Sequence, residues 1–257
     1  MHSDPQANTI DPADLDAVIF DLDGVITDTA AVHLEAWIRM FNGFLEQHAG
    51  GADHEPFTEE DYLRYVDGRP RYDGVRTFLR SRDIELPEGD PSDNSDALTV
   101  CGLGNRKNDD FRRMLDEGVQ PYPTSVTLVE SLRSAGVQTA LVSSSRNAGA
   151  VLEAAGLSHL FEVRVDGNDV IERGLPGKPD PALFLDAAAQ LGVEPVRAAV
   201  VEDAISGVQA GSNGNFGLVI GVDRGDQADQ LLANGADVVV GDLGELTVAA
   251  REGSGSA

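Results

Sequence analysis

The chain has 257 residues, 41% of them hydrophobic, which is enough to bury a good core in one large or two modest domains. Its formal net charge of −25 argues against nucleic acid or an anionic membrane as partner. No apolar run approaches the roughly 18 residues of a membrane span, and a single cysteine, Cys101, rules out an internal disulfide framework and suits a reducing cytosol.

The opening "MHSDPQANTIDPADLD" lacks the basic and apolar regions of a secretory signal, so a cytoplasmic chain is expected, with residues 1–13 as a disordered tail. The apolar run Val18, Ile19, Phe20 predicts a buried strand ending in Asp21 and Asp23, two acids on one side of the chain. Like charges held that close at the end of an apolar element repel and lose hydration, so something must compensate them. From Ala31 to about His48, apolar residues at 34, 37, 38, 41, 44 and 45 predict a helix. Helical patterns follow in "TEEDYLRYV", "RYDGVRTFLRSR" and "RKNDDFRRMLDEG", with an acidic Pro- and Gly-bearing loop at 86–96 and no convincing strand before Glu117.

Beyond Pro123 short apolar strands and helices alternate: "VQTALV", "FEVRV", "AAVVED", "FGLVIGV" and "DVVV" are the strands. That alternation predicts a parallel sheet covered on both faces, an α/β class fold with a doubly wound, Rossmann-like core. The expected organisation is a core of 14–33 and 118–246, an inserted all-helical cap domain at 34–117, and a second disordered tail at 247–257.

In open parallel sheets ligands bind outside the carboxyl ends of the strands. Three strands here end in polar chemistry: Asp21 and Asp23; then Ser143, Ser144, Ser145, Arg146 and Asn147; then Glu202 and Asp203. Lys178 lies in the Gly/Pro loop "GLPGKPDP", and it and Lys107 are the only two lysines among 19 basic residues. Four acids without His or Cys form a hard-oxygen cluster that suits Mg²⁺, which would supply the missing compensation. The serine run can hold phosphate oxygens, Lys178 can neutralise a transferring phosphoryl group, and a carboxylate beside the cation can act as nucleophile.

"DLDGVITDT", "SSSRN", "GKPDP" and "VEDAISGVQAG" together resemble the four motifs of the haloacid dehalogenase superfamily. "DLDGVITDTAAVHLEAW", "RKNDD" and "SSSRN" are similar, more finely, to the β-phosphoglucomutases, in order from Asp16 to about Asp242. The resemblance implies that Asp21 is the phosphorylated nucleophile and Asp23 the acid/base for the sugar hydroxyl. It implies that Asp21, the Asp23 carbonyl and Asp203 hold Mg²⁺, with Glu202 direct or through water. Ser143 and Lys178 would grip the transferring phosphoryl, and Thr29 and His33 would sit in the hinge that positions Asp23. Arg71, Ser145, Arg146 and Asn147 would hold a second phosphate, while Trp37 and Lys107 approach the sugar. Ser144, Gly68 and Arg69 fall in the same substrate-binding segments, although Arg69 and Pro70 depart from the small or apolar residues of the better-known mutases. The cap would close to exclude water.

The implied reaction interconverts β-D-glucose 1-phosphate and glucose 6-phosphate through glucose 1,6-bisphosphate, in a monomer whose partner is a small phosphorylated sugar. A sugar-phosphate phosphatase, a non-catalytic sensor, and a phosphonate-cleaving relative using Lys107 as a Schiff base are the alternatives.

Overall fold

The computed structural model describes residues 8–48, 55–115 and 118–250. Strands β1 (Thr9–Ile10) and β2 (Ala17–Asp21) precede a helical insertion of α1 (Ala30–His48), α2 (Glu59–Tyr65), α3 (Arg71–Ser81) and α4 (Val100–Leu115). After it come α5 (Pro123–Ser134), β3 (Gln138–Val142), α6 (Ala148–Ala154), β4 (Val163–Val165), α7 (Gly167–Arg173) and α8 (Ala182–Leu191). The chain ends with β5 (Ala198–Glu202), α9 (Ile205–Asn213), β6 (Leu218–Val222), α10 (Ala228–Ala233), β7 (Val238–Val240) and β8 (Thr247–Val248). Two compact units result: residues up to Thr27 with those from Gln120 onward, and Asp28–Val119. Among the described residues no helix is long and apolar enough to cross a membrane.

The first unit is built on a six-stranded, all-parallel sheet of order β4-β3-β2-β5-β6-β7. The order reverses at β2, which pairs with β3 on one side and β5 on the other, the doubly wound arrangement with its switch point at the central strand. All five residues of β2 and all five of β5 are buried, which explains why the strands read as continuous apolar runs without alternation. One sheet face, with Ala17, Ile19, Val142 and Val200, packs on Leu183 and Phe184 of α8 and Val208 of α9.

The second unit is all-helical among its described residues. Its core gathers Trp37, Phe41, Phe44, Phe57, Phe78 and Leu103, with Phe41 and Phe78 ring centroids 4.2 Å apart. Thr58 and Asp61 form a reciprocal capping box that starts α2.

Four sequence expectations change. α4 begins at Val100, six residues ahead of the "RKNDD" pattern, because Thr99 Oγ accepts the Gly102 N–H at 2.9 Å. Gly104, which reads as a helix breaker, is required there by the Tyr72 ring: a Cβ would lie 2.7 Å from it. Helix α7 is not anticipated at all; a capping box of Asp166 and Asp169 and a left-handed Gly174 fix its ends despite a largely polar sequence. The two tails are partly ordered, since Thr9–Ile10 pairs in parallel with Thr247–Val248; residues 1–7 and 251–257 lie outside the described residues. Finally, the helical unit begins at Asp28, earlier than 34, so Thr29 and His33 belong to it.

Ile10 is 1% exposed. Ile10→Ala is therefore expected to cost about 2–5 kcal/mol in chemical denaturation, whereas a disordered tail residue would cost nothing.

Candidate active site

Because the strands are parallel, their carboxyl ends share one edge of the sheet, and β2, β3 and β5 deliver their terminal residues side by side. Asp21 is in register with Val142, so Ser143 follows directly alongside, and Phe20 is in register with Val201, which brings Glu202 to the other flank. Lys178, from the loop before α8, enters between the acids. Its Nζ donates to Asp21 Oδ1 at 2.5 Å and to Glu202 Oε1, and sits 5.0 Å from the centroid of the Phe184 ring. Lys178 and Glu202 are fully buried and Asp21 nearly so.

Each group is held by further bonds. The Asp23 N–H donates to Asp21 Oδ2 at 2.9 Å, so both oxygens of the Asp21 carboxylate are engaged. Glu202 Oε2 accepts the Ala204 N–H at 3.1 Å, and its carboxylate lies against Gly207, where a Cβ would sit 1.9 Å from Oε1. Gly24 has φ +80, and a Cβ on it would lie 1.7 Å from Asp203 Oδ2. Both the conformation and the space therefore demand glycine after Asp23. Ser143 Oγ lies 3.4 Å from Asp23 Oδ2 and accepts the Ser145 N–H at 3.0 Å.

Electrostatics follow from this crowding. Burial raises the Asp21 carboxyl well above the usual range; Lys178 opposes that shift, while Glu202 and Asp23 add to it. For Lys178 burial works against the charge, but Asp21 and Glu202 outweigh it and hold the ammonium above its ordinary value. One cation is thus shared among several acids, and it does not fully compensate them. Asp21, Glu202 and Asp203 each offer an oxygen within 4.8 Å of the others, a donor set of the hard, anionic kind that Mg²⁺ takes. The residues fit that ion. Lys178 adds to the compensation expected of a metal, since it already bonds two of these acids.

The serine run does more than loop. Ser145 Oγ accepts the Asn147 N–H at 3.1 Å, and the Gly167 N–H donates to the Ser145 carbonyl at 3.2 Å. Arg146 Nε donates to Asn168 Oδ1 at 3.2 Å, while Asn168 returns a bond to the Arg146 carbonyl at 3.1 Å. The unanticipated α7 is therefore the brace for Ser144–Asn147.

The remaining predicted residues lie in the helical unit. Lys107 Nζ bonds His33 Nδ1 and lies 5.2 Å from the Trp37 ring and 4.6 Å from Phe111. Both lysines of the chain are thus buried and set over aromatic rings. Trp37 is a core residue, 4% exposed, stacked on Phe41 at 5.2 Å; its ring supports Lys107 and leaves little surface for sugar. Arg71 opens α3, and its Nη2 donates to Asn108 Oδ1 at 2.7 Å. Asn105 accepts from Tyr72 Oη at 2.9 Å and donates to the carbonyls of Pro91 and Asp93. The acidic 86–96 loop is in this way tied to the helix that carries Lys107. Gly68 has φ +68 and, with Arg69, forms the turn leading into α3. Thr29 is buried, and its carbonyl accepts the His33 N–H at 2.8 Å. Sequence inspection misses Arg224, which follows β6 and reaches the turn after Asp23; only its place at a strand end marks it.

The haloacid dehalogenase-like hydrolase family model matches residues 15–215. A Mycobacterium tuberculosis protein named beta-phosphoglucomutase is 50% identical over 242 residues, 91% of this chain and 92% of that one. The Bacillus subtilis beta-phosphoglucomutase is 32% identical over 235 residues, 90% of this chain and 92% of that one. Among solved structures, beta-phosphoglucomutase from Clostridium difficile superimposes with a TM-score of 0.72 at 27% identity, covering 91% of this chain and 93% of that chain.

Asp21→Asn is expected to raise the melting temperature of protein in EDTA at pH 7 by roughly 2–4 °C, the shift that about 1 kcal/mol produces at this size. The folded-state pKa of Asp21 is raised above its unfolded value, so wild type loses stability as pH rises from the unfolded carboxylate range towards that raised value, and the loss is constant above it. The gap between variant and wild type should open across that window and close as pH falls to the unfolded carboxylate range. A variant less stable than wild type at pH 7 would mean that Lys178 more than offsets the buried charge.

Proposed function

The chain belongs to the haloacid dehalogenase-like hydrolase family, and from that premise we propose that it is a Mg²⁺-dependent phosphomutase interconverting β-D-glucose 1-phosphate and glucose 6-phosphate. The observation that carries the assignment is the 50% identity to the M. tuberculosis beta-phosphoglucomutase across 91% of this chain. A match of that extent takes in the helical unit as well as the phosphoryl-transfer site.

In the proposed cycle the Asp21 carboxylate attacks phosphorus of glucose 1,6-bisphosphate. A new O–P bond forms on Asp21, the P–O bond to the sugar breaks, and Asp23 gives its proton to the departing sugar oxygen. Transfer then runs in reverse. Glucose 6-phosphate leaves after transfer from C1, and the 6-hydroxyl of an incoming β-glucose 1-phosphate attacks phospho-Asp21. Asp23 takes the hydroxyl proton, and the Asp21 carboxylate and glucose 1,6-bisphosphate are regenerated. Lys178 and Ser143 stabilise the transferring phosphoryl. Asp21, Asp203 and the Asp23 carbonyl would hold Mg²⁺ with Glu202 beside them, and the ion would offset negative charge during transfer. The two fixed oxygens of Asp21 support its role as a preoriented nucleophile.

A mutase must bind the same bisphosphate in both senses and therefore needs a grip on the phosphate that is not reacting. Arg71 and the Ser145–Asn147 segment are proposed for it, with Lys107 directed to the sugar. A net charge of −25 opposes anionic substrates in general, so attraction has to come from these local cations within a Debye length of about 8 Å.

Incubation with β-glucose 1-phosphate, Mg²⁺ and a trace of glucose 1,6-bisphosphate, followed by ³¹P NMR, should give glucose 6-phosphate with little inorganic phosphate. Inorganic phosphate without glucose 6-phosphate would identify a phosphatase instead. Arg71→Ala should lower kcat/KM for isomerisation about 10–100-fold, the effect of losing a charge-assisted hydrogen bond, and raise the share of turnovers ending in inorganic phosphate. An unchanged product ratio and rate would remove Arg71 from the second phosphate site.

A further inference from the structure

The turn that carries Asp23 is tied down at three successive carbonyls, each by a donor distant in sequence. Arg224 Nε donates to the Gly24 carbonyl at 2.8 Å, Ser125 Oγ to the Val25 carbonyl at 2.7 Å, and the Tyr122 N–H to the Ile26 carbonyl at 3.0 Å. The turn also closes on itself, because the Gly24 N–H donates to the Thr27 carbonyl at 2.9 Å. Ser125 and Tyr122 belong to the start of α5, whereas Arg224 comes from the end of β6, across the sheet.

Gly24 is the link where such fixation matters most. Its φ of +80 and the Asp203 carboxylate pressed against it exclude any side chain, so no Cβ restricts its torsions. Asp23 is anchored on its N-terminal side by β2 and by its N–H bond to Asp21, and on its C-terminal side through Gly24, so looseness at Gly24 would leave Asp23 held from one side only. The N–H of Gly24 is held from within the turn, and its carbonyl is held by Arg224.

The placement of the guanidinium separates this role from an ordinary surface ion pair. Its carbon stacks 3.9 Å from the centroid of the Tyr122 ring. Nη1 reaches the Gly241 carbonyl at 3.3 Å and lies 3.8 Å from Asp242 Oδ2, a loose pairing. Nη2 is buried and makes no hydrogen bond among the described residues. The short, well-formed bond goes to Gly24, not to the nearby acid. A planar cation clamped on an aromatic ring, with one donor aimed at a single carbonyl, is a use that suits arginine and not lysine.

We propose that Arg224 is a positioning residue that acts through the Gly24 carbonyl to aim Asp23 at the sugar oxygen. The proposal rests on the assignment of Asp23 as acid and base of the sugar step and of Asp21 as nucleophile. It predicts a defect that depends on the leaving group. Loss of a sugar hydroxyl from phosphorus needs the Asp23 proton, whereas loss of acetate from acetyl phosphate does not, because acetate leaves as a stable anion.

The test is single-turnover phosphorylation of Asp21 by rapid quench, with glucose 1,6-bisphosphate and with acetyl phosphate, in wild type, Arg224→Ala and Arg224→Lys holoenzymes. The alanine variant should lose 10–100-fold with the sugar donor and less than threefold with acetyl phosphate, with KM for the sugar phosphate within threefold of wild type. Arg224→Lys keeps the charge and a donor, so it should fall between the two, and it reads the same ratio if the alanine variant does not fold. Equal losses with both donors, or no loss with either, would overturn the proposal. A wild-type protein phosphorylated by neither donor would overturn the phosphomutase assignment itself, a result distinct from any effect of Arg224.

Discussion

The site is organised by one buried cation. Lys178 bonds Asp21 and Glu202 at once, and all three side chains are removed from water. Burying charges costs several kcal/mol per ion, and taking away the single cation, which would leave the buried acids uncompensated, costs about 3–5 kcal/mol. The loop before α8 is thereby fastened to the ends of β2 and β5. The same contact fixes the Asp21 carboxylate on one oxygen while the Asp23 N–H fixes the other. The acids still outnumber the cation, which leaves Asp21 with a raised pKa and the site receptive to a divalent ion.

Much of this arrangement was readable from the sequence because it depends on local pattern. Buried parallel strands are continuous apolar runs, and their ends on one edge of a sheet gather whatever polar residues follow them. Asp21, Ser143, Glu202 and Asp203 could be placed together on that basis alone. The scarcity of lysine also carried information, since both lysines occupy buried positions over aromatic rings.

What escaped the sequence depends on contacts between distant segments. The pairing of β1 with β8 joins residues more than two hundred positions apart and leaves no periodic signal in two-residue strands. Helix α7 is short and polar, and only its capping residues betray it. Glycines at 102 and 104 disguised the first turn of α4, where close approach of Ala97 and Tyr72 requires them. Trp37 has the spacing of a core residue and the chemistry of a sugar platform; its neighbours place it in the core. The roles of Asn105 and Arg224 lie in hydrogen bonds to distant backbone carbonyls, which composition and spacing do not encode.

The central claim is that Asp21, oriented by Lys178, accepts the phosphoryl group. The most direct measurement is acid quench of the protein during turnover with glucose 1,6-bisphosphate and Mg²⁺, followed by peptide mass mapping. The account predicts one added phosphoryl group on the peptide containing Asp21, released by hydroxylamine as an acyl phosphate is. A phosphoryl group on Ser143 or any other side chain, or none under conditions of active turnover, would contradict it.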